Sequence, residues 1–168
     1  MKTCARIDEK LLFQLFKKRS NAMDWFMCFI TSLGNCSKIW IVFSLYYWIS
    51  KERQITKGIL LSLLLTIIGN NLIIKSLCMR KRPCDKYKDI KMLIKRPIGS
   101  SFPSGHAATS FACAMSIVAY DLRFGSIALV LATLIAISRV YLFVHFPSDV
   151  LAGILSGITF GLIGIRIL

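Results

Sequence analysis

The stretch SIALVLATLIAISRVYLFVHFPSDVLAGILSGITFGLIGI, Ser126–Ile165, decides the fold. Its only formally charged side chains are Arg139 and Asp149. Two apolar runs, one ending near Phe143 and one starting at Val150, flank the polar break HFPSD. Each approaches the roughly 20 residues that cross hydrocarbon, so the pair predicts a helical hairpin in a membrane. Similar runs stand at Trp25–Leu33, Ile39–Ile49, Ile59–Ile74 and Ala107–Tyr120. Hydrophobic residues make up 55% of the 168, and the mean hydropathy is +0.63, which a soluble domain of this length rarely reaches. The expected fold is an all-α integral membrane bundle in one domain, residues 1–168, with about five transmembrane helices at 24–50, 58–77, 104–120, 126–143 and 150–168.

The first residues, MKTCARIDEK, lack the continuous apolar segment of a cleavable signal. Residues 1–22 are instead expected to hold an interfacial amphipathic helix. Ile7, Leu11, Leu12, Leu15 and Phe16 share one face, and Asp8, Glu9, Lys10, Gln14 and Lys17 fall mostly on the other. The net charge of +14 gathers at this terminus and in the basic loop at 78–103, chiefly RKRPCDKYKDIKMLIKRP at Arg80–Pro97. No basic domain stands outside the membrane to bind nucleic acid. The loop reads as a solvated juxtamembrane run, or as a holder of anionic lipid headgroups or a phosphorylated substrate.

The six cysteines, Cys4, Cys28, Cys36, Cys78, Cys84 and Cys113, show no metal-binding spacing and read as small hydrophobes. Only Cys78 and Cys84 share a polar loop closely enough to invite a disulfide, and none is expected. Gly153, Gly157 and Gly161 recur at four-residue spacing, which lets helix backbones approach. Packing inside the bundle is the expected use, with a homodimer through this face as the alternative.

Ionisable groups at membrane depth need a reason. Counting crossings puts Lys75, Arg82, His106, Arg139, His145 and Asp149 at one membrane face. Arg and Lys donors suit a tetrahedral oxyanion. Pro103–His106 leads into a helix whose free N–H groups attract anions. His145 and Asp149, four apart, would set carboxylate against imidazole, leaving the other ring nitrogen free to attack. His106 could then give a proton to a leaving oxygen. No carboxylate cluster is available for Mg²⁺ or Ca²⁺. Two histidines and an aspartate could in principle take zinc, but the surrounding cations would repel it. No metal and no cofactor are expected.

These residues resemble the type 2 phosphatidic acid phosphatases, whose three-part pattern is K-x6-RP, PSGH and SR-x5-H-x3-D. Lys75, Arg82 and Pro83 supply the first part, Pro103, Ser104, Gly105 and His106 the second, and Ser138, Arg139, His145 and Asp149 the third. The resemblance implies a metal-free phosphohistidine mechanism. His145 would attack phosphorus, Asp149 would orient it, and His106 would protonate the departing oxygen and then activate water. Lys75, Arg82, Arg139, Ser104 and Gly105 would hold the phosphoryl oxygens. Arg80, Lys81 and Arg96 lie nearby and are expected only to attract anionic lipid. Asn71, one turn before Lys75, serves either that lysine or helix packing.

The implied substrate is a lipid phosphate or diphosphate: phosphatidate, phosphatidylglycerol phosphate or undecaprenyl diphosphate. The short chain looks most like bacterial members, although many undecaprenyl diphosphate phosphatases carry Asp where this chain has Gly105. Vanadium-dependent haloperoxidases share the motifs but are soluble and much larger. A catalytically silent lipid-phosphate-binding protein of the same fold is the alternative. The protein is expected in the plasma membrane among membrane lipids. The excess of Lys and Arg on the active-site face would place that face in the cytoplasm. Those residues are accounted for by catalysis and substrate binding, and the family usually faces outward, so an extracytoplasmic active site is expected.

Overall fold

The computed structural model describes residues 2–168, with side chains from Arg6 onward, so the side chain of Cys4 lies outside the described residues. Every regular element among them is helical. Helix α1 (Lys2–Lys17) precedes α2 (Asn21–Gly34), which a tight turn at Asn35–Ser37 separates from α3 (Lys38–Ile49). Then come α4 (Arg53–Thr66), a π-helical stretch (Ile67–Ile74), the single turn α5 (Lys75–Leu77) and the short α6 (Pro83–Lys86). The chain closes with α7 (Gly105–Val118), α8 (Leu122–Tyr141) and α9 (Pro147–Ile167).

Four stretches are long and apolar enough to cross a membrane: Asn21–Ile49, Arg53–Leu77, Leu122–Tyr141 and Pro147–Ile167. The expected third crossing is the 14-residue α7 alone. That helix can be short because it is the hub of the bundle, with α4, α8 and α9 packed around it. Its buried side chains are nearly all small, with Ala107, Ala108, Ala112, Cys113, Ala114 and Ser116 fully enclosed. Small residues let the neighbouring backbones come close, and dispersion between those backbones adds to a side-chain core that includes Trp40, Ile59, Ile117 and Ile135. Ser116 also hydrogen-bonds Ser62 Oγ at 2.6 Å and the Gly58 carbonyl at 3.1 Å, pinning α4.

The glycine stripe of α9 faces α7 of the same chain. A Cβ on Gly153, Gly157 or Gly161 would fall 2.5, 2.3 or 2.8 Å from the carbonyl oxygens of Ser104, Ala108 and Ala112. Within the chain the glycine stripe serves packing inside the bundle, with α7 seated on it. The close approach also carries the start of α9 against the start of α7, where the histidines are.

Two irregularities shape the cavity beside them. Cys36 and Ser37 have φ of 51° and 56°, left-handed conformations that break the long α2–α3 stretch. Opposite, the π-helical stretch widens the helix around buried Asn70, whose Oδ1 accepts from Ser156 Oγ at 2.8 Å.

Helix α1 turns to the protein a stripe only partly shared with the expected apolar face. Leu12 is fully buried and Asp8 is 4% exposed, whereas Ile7 and Leu11 stand largely outside. The stripe turned to the protein thus starts at Asp8 and runs through Leu12 to Leu15. Phe13 and Phe16 meet Phe143 edge-on, with centroids 5.5 and 5.2 Å apart. The N-terminal helix so braces the loop between α8 and α9.

Candidate active site

Arg82 lies at the N-terminal edge of α6, where Pro83 occupies the first turn. Its guanidinium donates to four neutral acceptors: the carbonyls of Gly99 at 3.1 Å, Ser100 at 3.0 Å and Val144 at 3.1 Å, and His145 Nε2 at 3.1 Å. Arginine has only N–H donors, so His145 Nε2 must be the acceptor. The ring proton then sits on Nδ1, which donates to the Ser101 carbonyl at 2.7 Å. This tautomer leaves a lone pair on Nε2. Burial, reinforced by Arg139 and Arg82 against the opposing pull of Asp149, pushes the His145 imidazole down to about 4.

Asp149 does not hold His145 by the expected direct bond. Its Oδ2 lies 3.8 Å from Nδ1, beyond hydrogen-bond reach. The carboxylate instead accepts from Ser101 Oγ at 2.6 Å, the Phe146 amide at 2.8 Å and Arg80 Nη1 at 2.6 Å. It acts on His145 through charge and through Ser101, whose own carbonyl takes the ring proton. The Ser104 amide donates to the Asp149 carbonyl at 2.9 Å, tying the second motif to the third.

Arg139 ends α8, and the chain folds back so that the amides of Val144 and His145 both donate to its carbonyl at 3.2 Å. Phe143, at φ 64°, makes this reversal. The Arg139 side chain is 3% exposed, and its Nη1 donates to Thr31 Oγ1 on α2. Its Nε has no partner, and neither has the fully buried Ser104 Oγ. Among the described residues Lys75, Arg82 and Arg139 form no salt bridge.

A cavity of about 890 Å³ opens beside this cluster. Lys75, Gly105, His106 and Asn71 form its polar end, and Ile41, Leu63, Ile67, Leu72, Met79 and Ile98 supply an apolar wall. Arg82, Arg139, Ser104 and His145 are buried and do not line it. A Cβ on Gly105 would sit 2.8 Å from Asn71 Oδ1, so a larger residue here would require that side chain to shift. His106 Nε2 pairs with Asn35 Oδ1 at 3.0 Å, at the break between α2 and α3.

Among the described residues no group of three His, Cys, Asp or Glu side chains is placed to hold a metal ion. Cys78 and Cys84 are free thiols. Sequence reasoning missed Ser101, Thr31, Asn35 and the part played by Arg80, which it assigned to lipid attraction alone. Arg80 bonds Asp149 Oδ1 and Asp8 Oδ2, at 2.6 and 2.7 Å. Ser101 carried a signal, as the residue three before Ser104 in SFPS, but its role runs partly through its backbone.

Comparison with known proteins places this constellation. The model of the PAP2 superfamily matches residues 56–168. The bacitracin transport permease protein BcrC of Bacillus licheniformis is 30% identical over 114 residues, 67% of this chain and 56% of that protein. An undecaprenyl-diphosphatase of Sulfolobus acidocaldarius is 28% identical over 159 residues, 93% of this chain and 76% of that protein. A putative undecaprenyl-diphosphatase of Escherichia coli, YbjG, is 48% identical over 58 residues, 34% of this chain and 29% of that protein. The chain thus aligns with about half or less of BcrC and YbjG. Among solved structures, Aquifex aeolicus LpxE superposes with a TM-score of 0.82 at 27% identity, covering 94% of this chain and 93% of that one. A PAP2-type phosphatidylglycerolphosphate phosphatase of Bacillus subtilis does so with a TM-score of 0.79 at 25% identity, covering 99% and 87%. The matched region contains all three motifs and the helices that bring them together, and the chain belongs to the PAP2 superfamily.

Proposed function

We propose that this multi-pass membrane protein is a metal-independent lipid phosphatase working through a phosphohistidine. The observation that carries the reading is a pair of buried guanidiniums, Arg82 and Arg139, without a carboxylate partner, beside a histidine whose Nε2 holds a lone pair. A buried cation without a counter-ion is costly, and a phosphoryl dianion would supply the missing charge. The unpartnered Ser104 Oγ and Arg139 Nε are donors for its oxygens.

In the proposed reaction a phosphoryl oxygen takes over the Arg82 N–H that now rests on His145 Nε2. That nitrogen attacks phosphorus, the bond from phosphorus to the lipid oxygen breaks, and His106, protonated once the phosphoryl dianion has offset the surrounding cations, gives the leaving oxygen its proton and is left neutral. Water then attacks the phosphohistidine, His106 takes up the water's proton, and phosphate and neutral His145 are restored. Both carboxylate-assisted steps use Asp149 as the counter-charge to a cationic imidazole.

The cavity's polar end and apolar wall fit an amphiphile, with the headgroup at His106 and the chain along Ile41, Leu63 and Ile67. The Sulfolobus relative, aligned over most of this chain, is named for a lipid diphosphate, and the B. subtilis structure for a lipid monophosphate. We take a polyprenyl diphosphate as first candidate, then phosphatidylglycerol phosphate and phosphatidate. The plasma membrane and an extracytoplasmic active site complete the reading.

The test is phosphate release by detergent-purified protein offered undecaprenyl diphosphate and phosphatidate in parallel, with and without EDTA. Release that EDTA leaves unchanged is expected. Loss of release in EDTA overturns the metal-free route, and a folded sample that releases phosphate from neither lipid overturns the reading for both.

The pH profile offers a second check. His145 attacks as the free base, and a pKa lowered to about 4 leaves it neutral at all higher pH. The acid limb of kcat/KM, corrected for the substrate's own ionisation, is therefore expected near pH 4 to 5 rather than near the ordinary histidine value of about 6.5. A limb at the ordinary value would contradict the buried, cation-flanked environment of the ring.

A further inference from the structure

Asp8 is a carboxylate on α1 that the three motifs do not include, yet it is 4% exposed and fully engaged. Its Oδ1 accepts from the Ser148 amide at 2.9 Å, and its Oδ2 from Ser148 Oγ at 2.5 Å and Arg80 Nη2 at 2.7 Å. It thereby caps the first turn of α9, whose own N-cap position is held by Phe146, a residue with no side-chain oxygen to offer. Arg80 spends its other terminal nitrogen on Asp149 Oδ1 and Ser148 Oγ, and its guanidinium lies 4.4 Å over the Phe146 ring. One planar fork thus joins two buried carboxylates from opposite ends of the chain.

Charge gives this bridge its consequence. In the proposed reaction His145 becomes cationic as phosphorus bonds to Nε2, amid Lys75, Arg82 and Arg139. Asp149 is the carboxylate that opposes this, and Arg80 alone would cancel most of it. With Asp8 present, the Asp8–Arg80–Asp149 trio keeps one net negative charge. Both carboxylates are buried although Arg80 itself is 31% exposed, so that charge is screened less than one in water.

We propose that Asp8 is a positioning residue for the phosphatase reaction, acting through Arg80 and Ser148 on Asp149 and thence on His145; this rests on the function proposed above. The N-terminal helix is then part of the catalytic architecture rather than only a membrane anchor.

The test uses Asp8→Asn, which keeps the shape and an acceptor for the Ser148 amide while removing the charge. Expected is a fall in kcat of about tenfold or more, with KM unchanged or lower because the phosphate clamp becomes more positive. In the Arg80→Met background the same change is expected to add little, since the coupling runs through that guanidinium. A tether that only stabilises the fold would instead lower kcat in proportion to the folded fraction, with additive effects in the double variant. A second readout needs no turnover. The chain has 2 histidines, so imidazole-¹⁵N spectra of the detergent-solubilised protein resolve both rings. The Nδ1 resonance of His145 is expected to move in Asp8→Asn while that of His106, held by Asn35, stays. An unmoved His145 resonance, or full kcat in Asp8→Asn, overturns the proposal. A moved resonance in a protein whose wild type hydrolyses neither lipid leaves the positioning link standing and removes the phosphatase reading.

Discussion

His145→Ala is expected to abolish phosphate release, lowering kcat by about 10³-fold or more, in a protein that still folds. Alanine has no lone pair to form the bond to phosphorus, and no neighbour can substitute. His106 is held by Asn35 at the break between α2 and α3. The fold loses less. Removing the ring leaves the Ser101 carbonyl without its donor, a cost of about 1–3 kcal/mol. Arg82 keeps its bonds to Gly99, Ser100 and Val144. The measurements are phosphate release and acid-labile phosphoenzyme after rapid quenching, beside a size-exclusion profile matching the wild type. Turnover within tenfold of the wild type, or phosphoenzyme still forming in the variant, would falsify the assignment of His145 as nucleophile.

Arg139→Met is expected to move activity and stability in opposite directions. Its guanidinium is buried, bonded to the Thr31 hydroxyl and otherwise unpaired. Without substrate it is a charge removed from water with nothing of opposite sign beside it. Replacing even a buried ion pair by apolar residues is often neutral or stabilising by about 1–4 kcal/mol, and an unpaired cation has no partner charge to lose, only the bond to Thr31. The apparent Tm of the unliganded variant should therefore rise. Catalysis should fall by about 10²- to 10³-fold in kcat/KM, the range for removal of one preorganised donor to a developing oxyanion. Inorganic vanadate, a phosphate mimic, should raise the Tm of the wild type and leave the variant nearly unmoved, because a ligand stabilises only the state it binds. A variant less stable than the wild type, or one retaining most of its kcat/KM, would show that the arginine is a structural tie to α2.

How much of this could be read in advance depends on the range of each interaction. The motif residues are legible because each group sits within a few positions of a turn or helix start. Lys75 and Arg82 flank one loop, and Arg139, His145 and Asp149 flank another. Alternating crossings bring those loops to one face. Asp8 was illegible for the opposite reason. Its partners are Arg80 and Ser148, and nothing in the local pattern of α1 distinguishes a stripe beginning at Ile7 from one beginning at Asp8. The same holds for Thr31 and Asn35, which gain meaning only once α2 lies against α7 and α8. The left-handed Cys36 and Ser37, which divide the stretch expected as one crossing at 24–50, could not be foreseen from residues that seldom adopt that conformation. Asp149 stands beside the imidazole as its spacing predicts, 3.8 Å from Nδ1, but without the direct hydrogen bond. Helical spacing brings it near His145, and Ser101 from a distant loop then takes the hydrogen bond.

The 14 residues of α7 rise about 21 Å, against a hydrocarbon layer of about 30 Å. If the Tyr120–Asp121 end stands at one boundary, the His106 end stops several ångströms short of the other. In the proposed reaction a lipid headgroup would then sink beneath the plane of its neighbours before phosphorus meets His145. The depth of that descent is set by the bilayer as much as by the protein. Membrane thickness thus becomes a variable of the reaction itself.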